Sequence, residues 1–155
     1  MRDPGFVAAH RGGPLTLDRH RELIRWGRDC IEHVLPLATV PLDKRLVAAL
    51  ATAREWEAGK IKTGVGMRAS LAAHAAARDL SNPIDVALAR GIGQAVAAAH
   101  MADHSLGGAL YALRAVSAAD GDVEAERQWQ IARVPESSRE LILQALRDKG
   151  RHFKL

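Results

Sequence analysis

The chain has almost no cysteine, few aromatic side chains and no long apolar run, and each scarcity removes a class of protein. Cys30 is the only cysteine among 155 residues, so no intrachain disulfide can form and nothing argues for an oxidising compartment. No stretch approaches the roughly 18 consecutive apolar residues that a membrane-spanning helix needs. Residues Met1 to Pro14 carry neither a long apolar core nor a small-residue cleavage pattern, so they do not read as a signal peptide, and the cytoplasm is the expected location. Sustained alternation of apolar and polar residues is missing as well, which leaves no candidate strand.

What remains is 48% hydrophobic and 26% charged, a globular composition, and 155 residues suffice for one domain with its own core. Only 4% of residues are aromatic and alanine dominates the apolar set, so the core is expected to be built from small side chains that let helices approach closely. The net charge of +4 gives a surface with a weak attraction for acidic proteins, nucleic acid or anionic lipid. Acidic residues are interspersed along most of the chain. The clearest imbalances are Lys60, Lys62 and Arg68, and the tail Arg147, Lys149, Arg151 and Lys154. Such runs read as solvated faces rather than a nucleic-acid groove, and nucleic acid is disfavoured as a partner.

Apolar spacing of three and four residues runs through most of the chain. Thr16 is a candidate cap for a first helix from Leu17 to about Val34, with Leu23, Ile24, Gly27, Cys30 and Ile31 on one face. A second helix begins near Leu42 and ends at Gly59, a candidate C-cap. A glycine-containing loop from Lys60 to Gly66 follows, and a third helix from Met67 to about Leu80 puts Met67, Leu71, His74 and Ala75 along one stripe. Asn82 and Pro83 are a strong start signal for a fourth helix. A fifth carries Leu106, Leu110 and Leu113, a sixth holds Trp129, and a last one follows Pro135. The expected fold is all-α, a single-domain bundle of six or seven helices with short loops. Its expected limits are a flexible N-terminal arm over 1–15, a helical domain over 16–148 and a basic tail over 149–155.

Motifs that carry chemistry are scarce. Gly91-Ile92-Gly93 lies in a helical stretch and lacks the third glycine of a dinucleotide fingerprint, and Gly59-Lys60 with Thr63 lacks the spacing of a phosphate loop. His100 and His104 have the i, i+4 spacing that puts two imidazoles on one helical face, with His74 as a possible third ligand. No glutamate lies between them, so the expected role is structural hydrogen bonding, with Tyr111 and Ser105 as candidate partners, and no cofactor is implied. Trp26, Trp56 and Trp129 read as core filling, and Cys30 as a small buried residue. No nucleophilic triad is legible, since seven histidines among many acids give too many chance pairings.

Three segments carry a resemblance: Cys30-Ile-Glu-His-Val-Leu-Pro-Leu37, Leu71-Ala-Ala-His-Ala-Ala-Ala-Arg78, and Gly93-Gln-Ala-Val-Ala-Ala-Ala-His-Met-Ala-Asp-His104 followed by Leu106-Gly-Gly-Ala-Leu-Tyr-Ala-Leu113. Together they resemble the Imm-5-like helical immunity proteins of bacteria over roughly residues 17 to 135. The paired-histidine stretch is the most specific part. The resemblance implies a non-catalytic protein that neutralises a cognate toxin by direct binding, and it supplies no catalytic residues. Relatives often have proline where Ala102 stands, and the departure leaves open a longer helix through both histidines. The basic balance adds that the toxin's contact surface is expected to be acidic, with Lys60, Lys62 and Arg68 as candidate partner-binding residues. A homo-oligomer stays open. The competing expectation is a small helical metal- or ligand-binding protein or enzyme built on His74, His100 and His104.

Overall fold

Polar side chains at the helix starts set where the elements begin. The Thr16 hydroxyl accepts from the Arg19 amide at 3.3 Å, Asp43 from Arg45 at 2.8 Å, Asn82 from Ile84 at 2.9 Å and Asp122 from Ala125 at 2.9 Å. Each satisfies an amide that the first turn leaves without a partner. The computed structural model describes residues 2–153, and these caps open four of its seven helices. The helices are α1 (Leu17–His33), α2 (Lys44–Glu57), α3 (Thr63–Arg78), α4 (Pro83–Ala97), α5 (Ser105–Ala118), α6 (Val123–Ala132) and α7 (Arg139–Phe153). Among the described residues there is no sheet, and the fold is the all-α bundle that the spacing predicts.

Helix α5 is the hub, with α1 and α4 packed along it and α6 and α7 added at its outer side. One apolar cluster joins α1 to α5 through Ile24, Ile31, Leu46, Leu88, Ile92 and many alanines. A second gathers Leu23, Trp26, Cys30, Leu106 and Ile142 on the other side of α1 and α5. Between them the backbones of α1 and α5 almost touch. A Cβ added to Gly27 would lie 2.8 Å from the Ser105 carbonyl oxygen, and one added to Gly108 would lie 2.6 Å from the Gly27 carbonyl oxygen. Only hydrogen fits in either place.

Within the expected flexible arm, residues 4–15 are packed onto the bundle. Pro4–Phe6 and Ala9–Arg11 form 3-10 turns, the Ala9 amide donates to the Leu15 carbonyl at 2.8 Å, and Phe6 and Leu15 are buried in the second cluster. Two apolar side chains entering the core outweigh the glycines that made the segment look loose. The other end also departs from expectation. Helix α7 continues through Phe153, whose ring meets Tyr111 edge-on at 5.2 Å and lies 4.4 Å from the Arg114 guanidinium carbon. The expected basic tail is therefore helical as far as Phe153, and Lys154 and Leu155 lie outside the described residues.

The α1–α5 contact predicts a reversal of the ordinary helix rule. Alanine exceeds glycine in helix propensity by about 1 kcal/mol, yet Gly27→Ala should destabilise the protein by about 1–3 kcal/mol because backbone must move. Gly150→Ala, with no neighbour within 4 Å of the added carbon, should be neutral or stabilising. Leu110→Ala, a buried side chain of the hub, should cost about 2–5 kcal/mol. Chemical denaturation of the three variants measures all of these, and a stabilised Gly27→Ala would contradict the packing described.

Candidate functional site

The α2–α3 corner is the part of the surface where the sequence-predicted residues meet. Two residues after α2 ends, Gly59 with its φ of +72° turns the chain in a conformation that glycine adopts without strain. The Trp56 indole donates to the Thr63 hydroxyl at 3.3 Å and ties the end of α2 to the start of α3. Helix α3 starts four residues before the expected Met67. Gly64 and Gly66 are consequently helical rather than parts of a projecting loop, and Gly66 sits against the Ala99 methyl and the Val96 carbonyl of the α4 end. Lys60 and Lys62 lie in the short turn and Arg68 in the second turn of α3, all three exposed.

The inner face of α3 is made of small residues. Gly66, Ser70, Ala73, Ala76 and Ala77 are buried, and the Ser70 hydroxyl donates to the Gly93 carbonyl at 2.9 Å. The larger apolar residues therefore point away from the core, with Met67 43% and Leu71 67% exposed. They share the outer stripe with Gly64 and Arg68. From Ala58 to Arg78 the chain has no acidic residue, and no ion pair engages Lys60, Lys62 or Arg68 among the described residues. Beside the turn, Leu17, Trp56, Ile61 and Lys62 help line an open hollow of about 330 Å³. The corner thus combines free positive charge, exposed apolar side chains and a recess. Sequence reasoning found the charges and missed Leu71 and Met67 as surface residues. The signal was the run of small residues at 66, 70, 73 and 77, which defines the buried stripe.

The histidines do not come together as a metal centre. Helix α4 ends at Ala97 and Met101 is extended, so His100 and His104 do not share one helix and their spacing loses its meaning. The His74 ring packs over Gly93 with Nδ1 3.0 Å from an Arg90 nitrogen, whereas His104 Nδ1 donates to the Gln94 side-chain oxygen at 2.7 Å. Among the described residues no three His, Cys, Asp or Glu side chains are grouped to hold a metal ion. The expected partners Tyr111 and Ser105 are occupied elsewhere: Ser105 donates to the Ala102 carbonyl at 2.7 Å, and Tyr111 meets Phe153. His20, not singled out in the sequence, is the buried histidine, its Nε2 donating to the Ala98 carbonyl at 2.5 Å with the ring tilted against Trp56. Burial pushes the Cys30 thiol well above its ordinary range, which makes it a poor nucleophile.

Trp26 is buried and donates to the Gln130 carbonyl at 3.1 Å, as a core tryptophan should. Trp129 is different. It is only partly buried, stacked on His33 at 3.7 Å with Arg133 3.9 Å from its ring centre. The three indoles remain on separate parts of the fold and form no common stacking platform.

These features define an all-α domain that presents Met67 and Leu71 beside Lys60, Lys62 and Arg68 at the α2–α3 corner. The family model described as Imm-5 like putative immunity protein matches residues 13–137, a span that takes in α1 to α6 and the whole corner. The chain belongs to this family. An immunity-protein family points away from catalysis. No curated protein and no solved structure matches the chain. No helix among the described residues is long and apolar enough to cross a membrane.

Burial lowers the proton affinity of His20, His74 and His104 below the usual 6.5. The unfolded chain then takes up protons first as pH falls, so this stabilisation is complete above about pH 6.5 and declines as pH drops below it. Melting temperature should fall between pH 7 and pH 5, and His20→Gln should flatten that slope; an unchanged slope would assign it to other groups. Protein purified without added metal should melt at one temperature with and without chelator, and a chelator-induced loss of several degrees would restore the metal reading.

Proposed function

We propose that this protein is a non-catalytic immunity protein that neutralises a cognate bacterial toxin by direct binding, and that the α2–α3 corner is its docking face. One observation supports the face above others: Met67 and Leu71 stand exposed on the same helix as Arg68, next to Lys60 and Lys62, in a stretch without an acidic residue. Stable interfaces bury roughly 800 Å² per partner and place apolar anchors inside a polar rim. Here the apolar side chains would form the anchor and the three cations the rim. The complementary toxin surface is apolar at its centre and acidic at its edge.

The two kinds of residue should affect binding differently. Rim charges act mainly on the association rate, and desolvated anchors mainly on dissociation. Replacing Lys60, Lys62 and Arg68 together by glutamate should weaken binding of the toxin encoded beside this gene well over tenfold, about 1.4 kcal/mol or more. The loss should appear chiefly as slower association and shrink as salt rises. Met67→Ala with Leu71→Ala should weaken it chiefly through faster dissociation. Melting should hardly change in the charge variant, because exposed charges contribute little to stability. Surface-plasmon titrations with circular dichroism melts test this. Equal affinity with equal melting would move the docking face elsewhere, and failure of the native protein to bind its neighbouring gene product would reject the immunity reading for this chain.

A further inference from the structure

Helices α6 and α7 both lean on α5 and scarcely touch each other, which leaves a cleft of about 420 Å³ between them. Its floor is Leu110 and Leu113 of α5, and its walls are Ile131 of α6 with Leu143 and Leu146 of α7. The cleft does not close because α7 is held at other points. Ile142 and Ala145 are anchored in the second apolar cluster, and Phe153 is pinned against Tyr111 and Arg114.

Three arginines, Arg127, Arg147 and Arg151, border this apolar space. Arg127 is engaged by Glu124 at 2.6 Å. The other two lie one turn apart on α7, both exposed, and neither has a carboxylate within ion-pair distance among the described residues; Arg147 donates only to the Gln144 amide oxygen at 2.8 Å. The nearby Asp148 lines a separate hollow with Arg2, Asp103 and Lys149. An apolar slot with two guanidiniums at its edge that lack a carboxylate partner among the described residues is complementary to a molecule with an aliphatic body and an anionic head, since arginine forks hold carboxylates in a bidentate grip.

We propose that this cleft binds a small amphipathic anion, an aliphatic carboxylate whose chain lies on Leu110 and Leu113 and whose head group is held by Arg147 and Arg151. The volume falls in the range of small-molecule sites. The cleft's α7 wall lies beyond the family-matched span, which ends at residue 137. It is independent of the α2–α3 corner.

Decanoate and decanol, titrated by calorimetry below their aggregation limits and followed in methyl NMR spectra, test the site. Decanoate should bind saturably at one per chain, with shifts confined to the methyls of Leu110, Leu113, Ile131, Leu143 and Leu146. Decanol should bind at least tenfold more weakly. Arg147→Gln with Arg151→Gln, both on the surface, should lower decanoate affinity at least tenfold without changing the melt, and Leu143→Trp should abolish binding by filling the slot. Absence of saturable binding, shifts scattered over the surface, or equal affinity for decanol would overturn the proposal. Cleft shifts produced by the cognate toxin and not by decanoate would overturn it too, by assigning the space to the protein partner.

Discussion

The near-contact of α1 and α5 at Gly27, Ser105 and Gly108 is the constraint on which the rest of the packing rests. Two helices whose backbones meet leave no room for large side chains at the crossing, so the apolar residues must gather on either side of it. That is why the core divides into two clusters, with α4, α2 and α3 on one side and α7 with the N-terminal turns on the other. Helix α5 contributes to both, Ala112 and Ala115 to the first, Leu106 and Ala109 to the second. A wider crossing would merge the clusters into a looser space that the few aromatic residues of this chain could not fill.

Close packing also decides what the surface looks like. Because α3 approaches α4 through Gly66, Ser70 and Ala73, its larger residues have no place inside, and Met67 and Leu71 are left in solvent. An alanine-rich core therefore exports apolar surface. On α3 that surface lies among cations with no acidic neighbours in sequence, a direct consequence of how the helix packs.

The helices were legible because their signals are local: Thr16, Asn82 with Pro83, and Gly59 act on their own first or last turn, and the structure uses each in that way. The errors came where tertiary contacts overrule local signals. Glycines at 64 and 66 read as a loop, yet Gly66 is helical because its missing side chain admits α4. Glycines at 12 and 13 read as an arm, yet Phe6 and Leu15 draw the segment onto the core. Met67 and Leu71 read as one stripe of a helix, and periodicity alone cannot say which stripe faces inward when the opposite one is small. The histidine spacing failed for another reason, since a turn after Ala97 without proline is invisible to a spacing rule. The α6–α7 cleft was beyond reach altogether, because it depends on two helices meeting a third more than each other.

The distribution of charge ties these surfaces together. Most arginines near α1 and α2 are spoken for: Arg28 binds Glu57 at 2.6 Å and Glu32 at 3.0 Å, Arg25 reaches Glu57, Arg54 binds Glu32, and Arg45 joins Asp43 to Asp79. The pairs of Arg25, Arg28 and Arg54 neutralise the seam between α1 and α2 and leave it with little to offer a charged partner. The net charge of +4 is consequently carried where carboxylates are missing, and among the described residues some of these places adjoin exposed apolar side chains or an apolar recess. One is Lys60, Lys62 and Arg68 beside Met67 and Leu71, inside the family-matched span. Another is Arg147 and Arg151 over Leu143 and Leu146, outside it. An unpaired cation on bare solvent needs no explanation, since water solvates it fully. Set against apolar surface it loses part of that solvation, and an anionic ligand with an apolar body restores both interactions at once.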